Sequence, residues 1–210
     1  MANVLLGVTG SVAAIRTPAL FDALTEAGHV VKVVATESAF YFFDAKGLPP
    51  GTLNRDADEW PGQRYRRDDP VLHIELRKWA DVFVIAPLDA NTLAKLAYGL
   101  ADNCLTCVAR AWDLAQPMIL APAMNTLMWE HPVTGRHLTE LALDRDLSPP
   151  DTNDPDQLAA WINIQRGPLR VVGPIEKRLA CGDVGIGGMS EVPDIVAVVQ
   201  DVTGGSPKPA

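Results

Sequence analysis

The chain has 210 residues, 48% of them hydrophobic, which is enough for one large domain with a sizeable core. Its formal net charge of -8 argues against a general nucleic-acid binder, because such proteins need clustered lysine and arginine. No apolar run is long enough to span a membrane, and three cysteines do not make a disulfide framework in a chain of this length. The first residues lack the basic segment of a signal peptide, so we expect a cytoplasmic protein with no membrane partner.

Apolar runs of strand length alternate with segments of helical spacing along most of the chain. Five strands are predicted, at residues 3–10, 30–38, 81–92, 117–125 and 169–175. Four helices are predicted, at residues 11–29, 93–112, 131–143 and 194–202. The segment VLHIELRKWA (71–80) is ambiguous between a strand and an irregular segment.

Near-continuous apolar strands that alternate with helices are typical of a parallel sheet covered on both faces. We therefore predict an α/β fold with a doubly wound parallel sheet, a Rossmann- or flavodoxin-like three-layer sandwich. In such sheets ligands bind in the loops just past the carboxyl ends of the strands. Those loops fall at residues 9–12, 35–40, 86–92 and 121–129, and after the fifth strand.

Two polar segments differ from the predicted core. Residues 48–70 are expected to form a long loop. The Asp-rich residues 144–157 are expected to form a solvated insertion, which extends over about 144–168. We expect residues 1–200 to form a single domain and residues 201–210 to form a flexible tail.

Three loops at predicted strand ends carry candidate binding groups. In GVTGSVAA (7–14) small residues would let a phosphate approach a helix start, but a tight turn capped by Ser11 explains the segment equally well. APLDANT (86–92) ends a buried strand in polar groups, which modestly favours a ligand site. Asn125 ends another apolar strand, where capping of the next helix is the better interpretation from the residues alone.

Histidine and cysteine supply the other candidates. His73 is suited to act as a base near neutral pH, although a lone histidine is more often structural. Cys104 and Cys107 share a helix face and are best interpreted as buried small residues, so no metal site is predicted. Cys181, in KRLACGDVGIGGMSE (177–191), has three open interpretations: a buried thiol, half of a metal site, or a reactive group on a mobile loop.

Four segments in this order are far more specific together than any one alone: GVTGSVAA, IAPLDANTLAKLAYGLADNCLTC, APAMNTLMWEHP and KRLACGDVGIGGMSE. With them the chain resembles the flavin-containing cysteine decarboxylases over about residues 3–137 and 169–199. The last segment is similar to the branch that acts on 4′-phosphopantothenoylcysteine in coenzyme A biosynthesis, which includes Hal3-like proteins. The resemblance implies an FMN cofactor, that substrate, and a homotrimer with the site at a subunit boundary.

The resemblance also implies a role for each matching residue. His73 would be the catalytic base, and Cys181 the proton donor that completes the final reduction. Asn125, Arg178 and Ala180 would bind the substrate, with Asn125 at its carboxylate. Asp89 departs from the serine that many relatives have, which places a carboxylate near the flavin. FMN would be bound by residues of four loops: Gly10, Ser11, Val12, Thr36, Glu37, Ser38, Asp89, Ala90, Asn91, Thr92 and Ala123.

The implied reaction oxidises the carbon next to sulfur, releases CO2 from the resulting thioaldehyde and re-reduces the ene-thiolate to 4′-phosphopantetheine. Two other functions are compatible with parts of the sequence: a Hal3-like regulator of a protein phosphatase, and a flavin-dependent peptide cysteine decarboxylase or flavin prenyltransferase. The presence of His73, Asn125 and Cys181 together favours a self-sufficient enzyme.

Overall fold

A computed structural model describes residues 1–62, 64, 66–67, 69–178, 182 and 184–204. Six strands form its central sheet: β1 (Asn3–Val8), β2 (Val30–Ala35), β3 (Leu53–Arg55), β4 (Val82–Leu88), β5 (Met118–Pro122) and β6 (Leu169–Val171). Their order is β3-β2-β1-β4-β5-β6, and each neighbouring pair is parallel. The strand order reverses between β1 and β4, which is the switch point of a doubly wound sheet. The predicted fold class is confirmed.

Helices cover both faces of this sheet. Because alternate strand residues point to opposite faces, Leu5 and Phe83 pack on one side and Leu6 and Val84 on the other. The α-helices of the described residues are α1 (Thr17–Glu26), α2 (Asp56–Glu59), α3 (Leu72–Trp79), α4 (Ala90–Tyr98), α5 (Cys104–Arg110), α6 (Thr126–Trp129), α7 (Pro132–Leu143), α8 (Pro155–Ile164) and α9 (Val192–Thr203). The first face carries α3, α4, α5, α7 and α8, and the second carries α1 and α9.

Two predicted elements differ in the structure. The ambiguous segment 71–80 contains α3, whose buried Leu76 packs with Leu72 and Trp79 at helical spacing. The helix predicted over 93–112 is instead two helices, α4 and α5. Gly99 has a φ of 68° and ends α4 in the left-handed conformation that favours glycine. The prediction was wrong because Gly99 was not interpreted as a helix stop.

The two polar segments contain ordered elements. Residues 48–70, expected to be a loop, contain β3 at the sheet edge and the short helix α2. The expected solvated insertion contains α8, whose Leu158, Ala159 and Ile162 are buried in the core. Asp154 explains part of the acidic composition, because its carboxylate caps α8 by accepting the N–H groups of Asp156 and Gln157.

The carboxyl-terminal part forms a second, smaller sheet. Strands β7 (Ile175–Arg178) and β8 (Val184–Gly188) pair antiparallel as a hairpin. The strand predicted over residues 169–175 is shorter in the structure and ends at Val171. Ile175, the last residue of that prediction, belongs to β7 of the hairpin. Helix α9 includes residues 201–203, which were expected to begin the tail, and residues 205–210 lie outside the described residues. Within the described part of the chain, no helix has both the length and the apolar character needed to cross a membrane.

Candidate functional site

Three loops meet at Gly10, just past the carboxyl end of β1. A Cβ atom on Gly10 would lie 2.5 Å from the Oγ of Ser38 and 3.3 Å from Oδ2 of Asp89. Ser11 and Val12 follow directly and begin a 3-10 helix over Val12–Arg16 that leads into α1. The Oγ of Ser11 accepts the N–H of Ala13 at 3.4 Å, so the capping function predicted for Ser11 is present.

Hydrogen bonds fix the positions of these loops relative to each other. The Thr9 hydroxyl donates to the carbonyl of Pro87 at 2.8 Å and accepts the N–H of Asp89 at 2.8 Å. The N–H of Thr36, at the end of β2, donates to the carbonyl of Val8 in β1 at 3.0 Å, and the hydroxyls of Thr36 and Ser38 lie 3.0 Å apart. Because the groups at the ends of β1, β2 and β4 are tied to each other, they form one preorganised surface at the switch point.

This surface fits the phosphate of a mononucleotide in shape. The first N–H groups of a helix have no carbonyl partner inside the helix, so they are available to an anion. Gly10 has no side chain and so lets the Ser38 loop approach the helix start closely, and Ser11 and Ser38 add hydroxyl groups that can donate. The carboxylate of Asp89 is the exception, because it faces Gly10 and would repel a phosphate there.

The third loop begins α4 and contains four of the predicted cofactor-binding residues. Oδ1 of Asp89 accepts the N–H of Thr92 at 2.6 Å and so caps this helix. Ala90 and Asn91 form the first turn, in which Asn91 is exposed and Thr92 is buried. The exposed Glu37 begins the short 3-10 helix after β2.

A cavity of about 410 Å³ opens beside the 3-10 helix. It brings together five predicted site residues that are far apart in the sequence. Its other lining residues include two cations that the sequence analysis missed, Arg16 and Lys177. Lys177 directly precedes Arg178 in the sequence, and this pair of cations was the available signal. The predicted residues that line the cavity are Ser11, Val12, Ala123, Asn125 and Arg178.

One carboxylate forms ion pairs with both of these cations. Glu191 forms ion pairs with Lys177 and with Arg16, the latter at 2.5 Å. Arg16 also donates to the carbonyl of Ser190 at 3.4 Å. The hydrogen bonds from Lys177 and Arg16 lower the pKa of the Glu191 carboxyl, and the bond from Lys177 has the larger effect. The ion pairs connect the hairpin to the start of α1.

The hairpin packs very closely against the loop that carries Asn125. The N–H of Met124 donates to the carbonyl of Gly187 at 2.9 Å. A Cβ on Gly187 would lie 2.2 Å from the carbonyl oxygen of Met124, and one on Gly185 would lie 2.5 Å from the hydroxyl of Thr126. Gly185 and Gly187 therefore serve close packing of the hairpin against this loop.

Asn125 caps a helix and also lies at the cavity wall. Its Oδ1 accepts the N–H of Leu127 at 2.9 Å and caps α6, as the sequence favoured. It is also half-buried at the cavity wall, at the carboxyl end of β5 beside Ala123. The N–H of Ala123 donates to the carbonyl of Leu88 at 2.9 Å, which fixes this loop to β4.

His73 lies elsewhere on the chain. It belongs to α3, and its Nδ1 is 2.5 Å from Oε1 of the buried Glu59. The described residues that line the cavity do not include His73. Two other predicted site residues, Ala180 and Cys181, lie outside the described residues.

The cysteines of α5 behave as predicted in part. Cys104 is buried, and desolvation, with the charges of Glu59 and Asp56, raises the pKa of its thiol. Cys107 is only partly buried. Within the described part of the chain, no cluster of histidine, cysteine and acidic residues could hold a metal ion.

The fold and the cradle define a class. A doubly wound parallel sheet whose switch point carries one phosphate-sized cradle is the architecture of mononucleotide-binding proteins. A family model described as Flavoprotein matches residues 1–204, and the chain belongs to this family.

Curated relatives and solved structures agree with that assignment. The chain is 48% identical to a phosphopantothenoylcysteine decarboxylase of Mus musculus, over 95% of this chain and 86% of the relative. It is also 48% identical to one of Arabidopsis thaliana, over 94% and 83%. A solved cysteine-to-serine mutant of PPC decarboxylase complexed with pantothenoylaminoethenethiol has a TM-score of 0.78 at 46% identity, covering 95% of this chain and 96% of that one. The FMN binding protein AtHal3 has a TM-score of 0.77 at 45% identity, covering 98% of both chains.

Proposed function

We propose that this protein is an FMN-dependent phosphopantothenoylcysteine decarboxylase, a carboxy-lyase of coenzyme A biosynthesis. The observation that carries the proposal is the cavity that joins Ser11 and Val12 of the phosphate cradle to Asn125 and Arg178. A flavin with its phosphate in the cradle and a substrate with its carboxylate at Asn125 would then share one cavity. The names and high identity of the relatives support both the cofactor and the reaction.

The predicted residues would hold FMN at the switch point. Gly10, Ser11 and Val12 would surround the phosphate, with the loops 36–38 and 89–92 and Ala123 along the rest of the cofactor. When bound, FMN supplies the oxidation of the carbon next to sulfur and the later return of those electrons.

The protein's own residues bind the substrate and move protons. Asn125 and Arg178 would hold the carboxylate, and Lys177 and Arg16 place positive charge where the phosphate of the substrate can bind. His73 would accept the proton during the oxidation, and Cys181 would donate one to the ene-thiolate after CO2 has left. The solved cysteine mutant with bound pantothenoylaminoethenethiol supports this order for that protein.

We further propose that residues 1–200 form one domain. Three copies of the chain would form a homotrimer in which His73 of one subunit completes the cavity of its neighbour. Two observations support a subunit boundary at the cavity. His73 does not line the cavity formed by the described residues of its own chain. Large apolar side chains are exposed at and beside this cavity: Ile15 at 61%, Met128 at 49% and Leu127 at 77%.

A direct assay tests the reaction. Purified protein should be yellow and should release CO2 from 4′-phosphopantothenoylcysteine, but not from a peptide that ends in cysteine. Cys181→Ser should release CO2 once and accumulate the ene-thiol, whereas His73→Asn should not oxidise the substrate. Normal product formation by Cys181→Ser, or full decarboxylation by His73→Asn, would remove that residue from the mechanism.

Mixing the two variants tests the subunit boundary. In randomly mixed trimers, about a quarter of the sites would combine an intact His73 with an intact Cys181 from the neighbouring subunit. Activity should therefore reappear when the inactive variants are unfolded and refolded together, and each variant refolded alone is the control. A mixture that stays inactive, although it forms mixed trimers, contradicts the shared site.

A further inference from the structure

Glu59 is a buried carboxylate outside every recognised motif, and it contacts His73 twice. Its side chain is only 5% exposed. Oε2 accepts the backbone N–H of His73 at 2.8 Å, and Oε1 lies 2.5 Å from Nδ1 of the same residue. One carboxylate therefore holds both the main chain and the ring of the predicted base, which fixes the direction of the ring.

The surroundings of Glu59 fix its own orientation. The Cys104 thiol donates to Oε2 at 3.8 Å, so two donors face this oxygen. Asp56, at the other end of α2, accepts the backbone N–H of Cys104 at 2.8 Å. Helix α2 is thus attached to α5 at one end and to α3 at the other, and Glu59 has little freedom to turn away.

We propose that Glu59 is the positioning residue of His73, setting the tautomer in which Nδ1 carries the proton and Nε2 presents its lone pair. This inference rests on the proposed role of His73 as the base. A neutral imidazole has one N–H, and Oε1 of a carboxylate can only accept. A hydrogen bond to Oε1 therefore requires the proton on Nδ1, and Nε2 is left as the atom that accepts a proton from the substrate.

The variant Glu59→Gln makes a specific prediction because the amide has one acceptor and one donor. The position of Oε2 faces two donors, so the amide oxygen must occupy it. The amide NH2 then points at Nδ1 and can only donate to it. His73 should therefore change to the opposite tautomer, with the proton on Nε2. Glu59→Asp keeps two acceptor oxygens and should keep the original tautomer.

The tautomer can be measured by nitrogen NMR on holoprotein with 15N-labelled histidine, at a pH where the ring is neutral. The wild type and Glu59→Asp should show a protonated Nδ1, and Glu59→Gln a protonated Nε2. Glu75→Gln is the matched control, because Glu75 is an exposed carboxylate on the same helix, α3. It should leave the His73 signals unchanged.

Kinetics provide the second measurement. In single turnover, Glu59→Gln should slow substrate oxidation by ~10²-fold, the size of a general-base contribution. In steady-state assays kcat should fall, while KM stays within about twofold of the wild-type value. Glu59→Asp should recover a large part of that rate, and Glu75→Gln should match the wild type. If Glu59 had only a structural role, its replacement would lower the stability of the protein but would not lower kcat while leaving KM unchanged.

The outcomes separate this inference from the proposed function. A wild-type protein that does not decarboxylate the substrate contradicts the function, while its tautomer still reports on Glu59. A protonated Nε2 in the wild type overturns the inference even if Glu59→Gln does not fold. An unchanged tautomer or an unchanged oxidation rate in a folded Glu59→Gln variant overturns it as well.

Discussion

Replacing Gly187 with alanine should separate the hairpin from the loop that carries Asn125. The new Cβ would lie 2.2 Å from the carbonyl oxygen of Met124, which is backbone and cannot turn aside. Relief of this overlap needs a displacement of about 1 Å, because packed interiors do not tolerate contacts this short. The 2.9 Å hydrogen bond from Met124 to Gly187 is lost in the process.

The size of the effect follows from those two changes. Loss of the hydrogen bond should lower the free energy of unfolding by about 1 kcal/mol. A misplacement of ~1 Å between Asn125, Arg178 and the bound substrate should reduce kcat/KM by ~10²-fold. The activity should therefore fall much further than the stability, and FMN binding should be kept because the cradle at Gly10 is untouched.

Two glycine variants are controls for the assay of CO2 release. A Cβ on Gly188 would lie 3.0 Å from Cβ and 3.1 Å from Cδ of Lys177, a tight contact but a longer one than that at Gly187, and one on Gly167 would meet nothing within 4 Å. Gly188→Ala should lose a few-fold in kcat/KM at most, by partial adjustment of Lys177, and Gly167→Ala should lose none. The reasoning is refuted if Gly187→Ala keeps wild-type kcat/KM, or if all three variants lose activity equally.

Three more predictions concern the cradle, the insertion and the buried histidines. Asp89→Ser keeps a helix cap but removes a carboxylate beside Gly10. FMN should therefore bind several-fold to about tenfold more tightly, as measured by fluorescence titration. The affinity for riboflavin, which lacks the phosphate, should not change. Weaker FMN binding by this variant would contradict the repulsion. Leu158→Ala removes a fully buried side chain of α8 and should lower the urea unfolding free energy by about 2–5 kcal/mol, whereas a loss below about 0.5 kcal/mol would mean that the insertion is not part of the core. Burial lowers the pKa of both His29 and His137 below 6.5, so the unfolded chain binds more protons below that pH and stability should fall from pH 6.5 towards pH 5. His137→Gln should flatten this dependence, and an identical slope in the variant would remove His137 as a contributor.

The parallel sheet and its loops could be predicted from the sequence because their cause is local. Val82–Leu88 is buried along its whole length, and such apolar runs, alternating with helices, leave few other arrangements. The positions of the cradle loops follow from the same rule. The composition of residues 48–70 and 144–157 was misleading, because acidic residues that cap helices or accept buried N–H groups, such as Asp154 and Asp56, look in sequence like solvated loop residues.

Long-range contacts account for the parts of the site that the sequence did not reveal. Glu59 is 14 residues from His73, in a segment interpreted as a loop, and no periodicity connects them. Arg16 and Glu191 are 175 residues apart and meet because α1 packs against α9, whose N-cap is Glu191. The resemblance supplied Asn125 and Arg178, and the structure places both at one cavity, whereas Ala180 and Cys181 remain predictions.

Glu191 has a consequence for how the cavity accepts its ligand. It is the shared counter-ion of Arg16 and Lys177, two cations that line the cavity. An anion that binds either cation must displace Glu191 or share that cation with it. Binding of an anion at these cations would therefore be a counter-ion exchange, in which the incoming negative charge takes over part of the link between the hairpin and α1.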